Sequence, residues 1–303
     1  MNKVVVVRLP SLVRARWAHT ACSLNQNFNM MEKMSIFSTF CRHFSSNTAS
    51  VSTEEVTKFS EMNQTWWDPR KNPLIGMNPV RVEYIVESLK QHGITSDFDG
   101  RPLSHLKALD VGCGGGLLSE SLARLGATVT AIDPSIPLVE SAKQHSQRDL
   151  QTQSIDYRGG VTIEDLSDSL LQDDDSDHQY DVICILDVIE HVTDVNSMLR
   201  AASKLLKPDG ILFCSTINKT LKSHMITIVG AEYVMRYLPV GTHDWNLFQS
   251  PQDVRERMKR AGLVEVGVNG MVMTHPRLDG TWAWRLEPTD TDVNWIGSYR
   301  HDT

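Results

Sequence analysis

The chain has 303 residues, a formal net charge of −7, 41% hydrophobic and 22% charged residues. That length holds one large α/β domain plus a tail, or two small domains, and the acidic balance carries no nucleic-acid footprint. Five cysteines (Cys22, Cys41, Cys113, Cys184, Cys214) form no C-x-x-C pair and read as reduced thiols, not as a disulfide framework; no apolar run reaches the roughly 18 residues of a spanning helix, so any membrane contact is expected to be peripheral.

Residues 1–50 carry six basic residues (Lys3, Arg8, Arg14, Arg16, Lys33, Arg42) against one acid, Glu32, and are rich in Ser, Thr and Asn. A mitochondrial targeting segment has this basic, Ser-rich, acid-poor composition; so does an unstructured tail. The block Arg42-His43-Phe44-Ser45-Ser46 resembles a matrix-peptidase site with cleavage after Phe44, which sets residues 1–44 apart as a disordered targeting segment. Met30, Met31 and Met34 are alternative starts.

From residue 52 the pattern becomes helical. The run from Thr53 to Phe59 has acids in its first turn, Glu54 and Glu55, the signature of a helix start. It leads to Trp66-Trp67-Asp68-Pro69, aromatics that either pack or cover a ligand. A second helix is predicted after Pro79, over residues 80–92, with Val82, Ile85, Val86 and Leu89 on one face. Residues 45–105 therefore read as helices capping a cleft in the domain formed by residues 106–303.

That domain is organised by residues 106–133. A short apolar strand ends at Asp110-Val111, followed by Gly112-Cys113-Gly114-Gly115-Gly116. Leu117, Leu118, Leu122 and Leu125 then recur at helical spacing up to Gly126, and a second strand ends on Asp133. Glycines let backbone approach a ligand closely, and the helix start offers unpaired N–H groups. An acid at the end of the second strand can accept from two ribose hydroxyls. A dinucleotide fingerprint needs G-x-G-x-x-G, but its third glycine is replaced by Leu117. The run D-V-G-C-G-G-G, with Asp110 before the first glycine, resembles the first motif of class I S-adenosylmethionine-dependent methyltransferases.

The alternation continues: helix 135–147, a strand around residue 156, and a loop in which Thr162, Ile163 or Glu164 is a candidate adenine contact. The acidic run 173–177 reads as a solvated loop. Residues 180–186 form a continuous apolar strand, as expected where a sheet is buried on both faces. A helix capped by Thr193 or Asp194 leads to a turn at 207–210, a fifth strand at 211–216, a helical insertion at about 218–250 and a helix at 251–260. A sixth strand follows at 263–268, then a hairpin-like strand from 271–274 and 282–285, and a last piece at 294–299. Alternating strands and helices predict an α/β, doubly wound, mostly parallel seven-stranded sheet.

Methyl transfer from a sulfonium needs an aligned nucleophile, and an oxygen nucleophile must lose its proton to a base or to a metal that lowers its pKa. Asp187, Glu190 and His191 sit where ligands bind in doubly wound sheets, at the carboxyl end of the fourth strand. Their i, i+3, i+4 spacing puts them on one side of a helical turn, where they can hold a magnesium-like ion or form a structural network. His243 is a second candidate for substrate contact or proton removal, or a structural histidine.

Trp66-Trp67-Asp68, residues 75–81, residues 109–116, residues 187–192, Val229-Gly230-Ala231-Glu232-Tyr233 and Gly241-Thr242-His243-Asp244-Trp245 occur in one order. Together they resemble the ubiquinone-biosynthesis O-methyltransferase family in its mitochondrial form, over residues 53–298. The resemblance implies methylation of ring hydroxyls on polyprenylated catechols, a 3,4-dihydroxy-5-polyprenylbenzoate and demethylubiquinol. It implies S-adenosylmethionine contacts at Arg81, Gly112, Asp133 and Leu186, with Arg81 on the methionine carboxylate. It also implies Mg2+ at Asp187, Glu190 and His191; the candidate catalytic residues are Glu190, His191 and His243. Asp187 stands where the family often has Glu, and its shorter arm can shift the ion. A bilayer substrate implies peripheral contact with the matrix side of the mitochondrial inner membrane, and other ubiquinone-biosynthesis proteins are expected in a complex. Residues 222–238 read either as an interfacial helix or as a helix packed on the sheet edge. The competing readings are a catalytically silent methyltransferase-fold scaffold subunit and a nicotinamide oxidoreductase, the latter disfavoured by Leu117.

Overall fold

The computed structural model describes residues 50–95, 100–170, 178–234, 241–278 and 281–302. The expected targeting segment 1–44 and the acidic run 173–177 lie outside these residues. Five strands run in parallel: β1 (Lys107–Val111), β2 (Thr128–Asp133), β3 (Asp156–Gly159), β4 (Tyr180–Leu186) and β5 (Leu206–Ile217). Three more, β6 (Leu263–Pro276), β7 (Trp282–Glu287) and β8 (Asn294–His301), extend the sheet antiparallel beyond β5. The order across the sheet is β3-β2-β1-β4-β5-β8-β6-β7.

The sheet thus has eight strands where seven were expected. The predicted pieces at 263–268 and 271–274 are one strand of 14 residues. Its first part, to Met271, pairs with β8 and its last part, from Gly270, with β7, so the hairpin adds an edge strand. No crossover helix separates β6, β7 and β8, and neighbours joined without a crossover pair antiparallel.

The strands are apolar on both faces, and alternation sorts their side chains. Ala108, Val182, Cys184, Ile211 and Phe213 face one core, with Ile85 and Leu89 of α2 (Leu74–Gln91) and Leu118 and Leu122 of α3 (Leu117–Arg124). Leu109, Ile183, Ile185, Leu212 and Cys214 face the other, with Leu166 of α5 (Ile163–Leu170), Leu199 of α6 (Val195–Leu205) and Val254 of α7 (Pro251–Arg260). The helix α4 (Ile136–Ser146) joins the first face through Val139 and Ala142. Cys113, Cys184 and Cys214 are buried free thiols. Asp194 caps α6 by accepting from Ser197 N–H (3.0 Å).

Two helical predictions shift. The α2 helix starts at Leu74, not after Pro79, because Asn72 Oδ1 accepts from the Leu74 N–H (3.1 Å). Pro79 then falls inside the helix, where its missing N–H forfeits one backbone bond. In the insertion, a short turn at Leu221–Ser223 is fixed by a Thr220–Ser223 capping box and continues as a π-helix over His224–Val234. Such winding is rare and recurs at functional sites. The segment before the sheet begins with α1 (Thr53–Glu61). Thr193 N–H donates to Ser50 O (2.8 Å), which straps this segment to the loop after β4.

Candidate active site

The strand order reverses between β1 and β4, and the crevice outside their carboxyl ends is where a doubly wound sheet binds ligands. The chain leaves β1 through the glycine turn. Gly112 has φ +70°, and a Cβ there would lie 2.5 Å from Val188 Cγ2. A side chain at that position is therefore both strained and blocked. Its N–H donates to Ile132 O (2.9 Å), holding the turn against the end of β2. Asp133 closes β2: its Oδ2 accepts from Gly114 N–H (2.9 Å) and its Oδ1 from Ser135 N–H (2.7 Å). Arg81, Gly112, Asp133 and Leu186 all line this cleft, together with Thr162 and Ile163 of the candidate adenine contacts. Glu164 does not; both of its carboxylate oxygens are buried without a hydrogen-bond partner.

Burial pushes the Asp133 carboxyl up to about 6, against the pull of its two backbone donors. A ribose hydroxyl held by Asp133 would donate to the carboxylate form, which prevails above that value and is lost below it. S-adenosylhomocysteine affinity is therefore expected to fall as pH drops through about 6. Asp133→Ala should weaken binding by about 1–3 kcal/mol, the cost of unpairing a buried polar partner, and should flatten this pH dependence. Calorimetric titration at pH 7.5 and 5.5 measures both; an unchanged dissociation constant in the variant contradicts the role.

Asp110, just before the turn, is buried, accepts from Ser119 Oγ (2.5 Å) and is also pushed up to about 6 by burial. Arg81 reaches the same region from α2. It is buried and ion-pairs with Asp187, while its Nε has no hydrogen-bond partner. Burial lowers the guanidinium to about 10, opposed by Glu190 and Asp110. A buried guanidinium with a spare donor facing a cofactor cleft suits a carboxylate.

The expected metal set does not come together. Asp187 Oδ1 accepts from Ser215 Oγ (2.9 Å) and its other oxygen is held by Arg81. His191 Nδ1 is taken by Glu55 Oε2 (2.8 Å). Glu190 is buried, and its Oε2 has no hydrogen-bond partner. Among the described residues no group of three His, Cys, Asp or Glu side chains is arranged to hold a metal. The Mg2+ implied by the resemblance therefore does not fit this arrangement, because Asp187 would have to leave Arg81. Titrating Mg2+ into the cofactor-free chain should leave Tm unchanged; a concentration-dependent rise would overturn this.

A second cavity, of about 290 Å³, shares Phe59, Trp66, Leu74, Asp187 and His191 with the cofactor cleft. Its walls include Met62, Met77, Met271, Met273, Trp282 and Trp284, and His243 lines it as well. His191 and His243 are 6.3 Å apart by ring centroids. Lys222 also lines it and pairs with Asp290 (3.0 Å).

Trp66 lies over the glycine turn, where a Cβ on Gly114 or Gly115 would run into its indole. Trp67 stacks on His145 at 3.6 Å between ring centroids, with 10° between ring planes. His145 Nδ1 in turn pairs with buried Glu120 (2.6 Å). The two tryptophans thus play different parts, one covering the ligand crevice and one anchoring the segment that carries it. Sequence reasoning missed Glu55, Lys58 and Glu232. The first two sit i, i+3 on α1 and read as an ordinary surface pair, and Glu232 reads as one acid in an apolar helix.

A glycine turn between two buried carboxylates, with a buried arginine across the switch point, defines a class I S-adenosylmethionine-dependent methyltransferase. A family profile described as "Methyltransferase domain" matches residues 81–266. The chain is 40% identical over 253 residues to the ubiquinone biosynthesis O-methyltransferase of Pelagibacter ubique (strain HTCC1062), covering 82% of this chain and 98% of that one. It is likewise 40% identical over 258 residues to the protein of that name from Cereibacter sphaeroides (strain ATCC 17025 / ATH 2.4.3), covering 83% and 97%. The fold is similar to a crystal structure of magnesium protoporphyrin IX methyltransferase from Synechocystis PCC 6803 with bound SAH, with a TM-score of 0.54 and 20% identity over 81% of this chain and 95% of that one. The chain belongs to the ubiquinone biosynthesis O-methyltransferase family and is an S-adenosylmethionine-dependent methyltransferase.

Proposed function

We propose that the enzyme methylates a ring hydroxyl of a polyprenylated catechol, both as a 3,4-dihydroxy-5-polyprenylbenzoate and as demethylubiquinol. The observation that carries this reading is the second cavity: four methionines and three tryptophans stand in its walls, His243 lines it, and His191 stands where it meets the cofactor cleft. A prenylated ring has the same polarity, apolar along the tail and hydroxylated at the reacting edge. Arg81 and Asp133 would hold the two ends of S-adenosylmethionine, and Trp66 would keep water from the sulfonium. In that reading the methyl group would face the wall that the two cavities share, which includes Phe59, Leu74 and His191.

The membrane part of the reading rests on the insertion. Leu221 (80% exposed), Met225 (59%) and Tyr233 (58%) present large apolar side chains to solvent at its start and along the π-helix. Among the described residues no helix is long and apolar enough to cross a membrane. Peripheral docking on the matrix face of the mitochondrial inner membrane fits that surface, a bilayer-resident substrate and the targeting composition of residues 1–44. Other ubiquinone-biosynthesis proteins are the expected partners there.

The test is incubation with methyl-labelled S-adenosylmethionine and a short-tailed prenyl catechol, in parallel with an unprenylated catechol. Labelled ether is expected from both, with a lower KM for the prenylated compound. S-adenosylhomocysteine binding without any labelled ether would overturn the reading. Leu221→Asp combined with Met225→Asp should abolish co-flotation with anionic liposomes while leaving turnover of the soluble catechol intact; undiminished flotation would contradict the docking surface.

A further inference from the structure

His191 and His243 face one cavity from different parts of the chain, and each is backed in the same way. His191 Nδ1 is held by Glu55 Oε2 (2.8 Å) and His243 Nδ1 by Glu232 Oε1 (3.0 Å). A carboxylate on Nδ1 fixes the proton there and leaves Nε2 as the lone-pair nitrogen for a ligand. Aromatic edges hold both rings: Phe59 against His191 (4.8 Å between centroids) and Phe248 against His243 (6.0 Å). With the rings 6.3 Å apart and tilted 37°, two neighbouring oxygens on one aromatic ring can bridge them through hydrogen bonds of ordinary length.

Glu232 does more than touch the imidazole. It is 1% exposed, and it also accepts from the backbone N–H of Gly241 (2.7 Å) and of His243 (2.9 Å). The π-helix thereby fixes the loop that carries His243. The same loop is tied from the other side, because Lys58 Nζ donates to the carbonyls of Gly241 (2.9 Å) and Thr242 (2.7 Å). Lys58 also pairs with Glu55, the carboxylate behind His191 (3.2 Å). One helix, α1, thus touches both histidine supports while Glu55, Val56 and Phe59 line the cofactor cleft.

We propose that the two carboxylate-backed imidazoles grip the adjacent oxygens of the catechol, His243 Nε2 accepting the proton of the hydroxyl to be methylated and His191 Nε2 accepting a hydrogen bond from its neighbour, with Glu232 and Glu55 as positioning residues. This rests on the catechol reading above. In the step the phenolic O–H bond breaks and its proton passes to His243 Nε2. An oxygen electron pair forms the O–CH3 bond, and the S–CH3 pair returns to sulfur, leaving neutral S-adenosylhomocysteine. The imidazolium then releases its proton to solvent. The surroundings suit a base that starts neutral. Burial lowers the His243 pKa from its ordinary value, Glu232 raises it, His191 lowers it and Glu190 raises it, burial being the largest effect. Lys58 lies behind it on the loop carbonyls, and Asp187 and the Lys222–Asp290 pair line the same cavity.

The experiment is a kinetic double-mutant cycle on the full chain with a soluble catechol, read as kcat, KM and the acid limb of the pH–rate profile. His243→Ala should lower kcat by about 10²–10⁴-fold, the usual worth of a positioned base. Glu232→Gln should lower kcat by at least about tenfold, leave the KM for S-adenosylmethionine unchanged and move the acid limb to lower pH. The double variant should be no slower than His243→Ala alone, because residues acting as a unit are not additive. Glu55→Gln should raise KM for the catechol and spare an analogue lacking the second hydroxyl. Additive losses in the double variant, or equal KM changes for both substrates, overturn the proposal. Nitrogen NMR of the histidines in the S-adenosylhomocysteine complex reads the dyads without turnover: protonated Nδ1 and bare Nε2 are expected at both, and a protonated Nε2 at His243 overturns it. If the wild-type chain has the expected tautomers but methylates no catechol, the substrate reading falls and takes the proton step with it. If it methylates catechols while Glu232→Gln is silent, only the present inference falls.

Discussion

Replacing Arg81 by Met is expected to cost the fold about 3–5 kcal/mol, the usual result of removing one partner from a buried charge pair. It should also lower Tm by something of the order of 10 °C for a domain of this size. Arg81 is 3% exposed, ion-paired with Asp187 and close enough to Asp110 and Glu190 to feel their charge. Methionine fills the volume but leaves those buried carboxylates facing one another. They would answer by holding protons. Asp110 already sits at about 6 through burial even with Arg81 opposing the shift. Without the guanidinium, its folded-state pKa rises further above the unfolded value of 3.8. A raised carboxyl pKa means that the folded state binds more protons than the unfolded one across that window, so stability falls as pH rises through it. The variant should therefore lie furthest below wild type at neutral pH and recover part of the gap on acidification toward pH 5.5. Urea unfolding at both pH values measures this. A gap that does not narrow would mean that the carboxylates are not the cause. If Arg81 holds the methionine carboxylate as proposed, cofactor affinity should be lost together with the fold's margin, because its unpaired Nε would be the donor.

The parts of this site that sequence made legible are those set by local chain geometry. The glycine turn, Asp110, Asp133 and the apolar run of β4 each announce themselves through spacing within one strand–turn–helix unit, and each stands where that spacing puts it. The first helix before the domain was readable for the same reason, down to the acids in the first turn of α1. What was not legible depends on contacts between distant segments. Asp187, Glu190 and His191 share one turn, which suggested a metal set. Their partners Arg81, Ser215 and Glu55 lie 28 to 136 positions away and pull them to different tasks. The left-handed backbone of Asp187 (φ +54°) is equally invisible in the sequence. Likewise, nothing local distinguishes Glu232 from a surface acid until the chain returns at Gly241 and His243. The eighth strand was hidden because 271–274 and 282–285 read as one hairpin-like strand, whereas the first stretch continues β6 through Gly270 and the second is the separate strand β7.

Trp66 is the largest single lever on how the cap meets the cofactor cleft, and Gly115 tests it without a backbone complication. Gly115 is not in the left-handed region, unlike Gly112, Gly114 and Gly116, so a side chain there meets only a steric obstacle. That obstacle is the Trp66 indole, whose Nε1 would lie 2.8 Å from an added Cβ, with carbon atoms closer still. The indole is 8% exposed, and its backbone carbonyl is held by Asn72 Nδ2 (2.8 Å), so it has little room to retreat. Gly115→Ala should cost about 1–3 kcal/mol, as overpacking a tight contact does. Trp66→Ala should cost about 3–5 kcal/mol, the loss expected for truncating a buried Trp. Because Trp66 belongs to the cap, both losses should fall on cap closure: weaker S-adenosylhomocysteine binding and faster proteolysis ahead of α2. The two substitutions touch the same contact, so their effects cannot add. With the indole gone, the new methyl group has space, and the double variant should bind no worse than Trp66→Ala alone. If the double variant instead loses the sum of both, the methyl group at 115 acts directly on the ligand. The wall it disturbs would then be the glycine turn itself, and Trp66 would be no more than packing beside it.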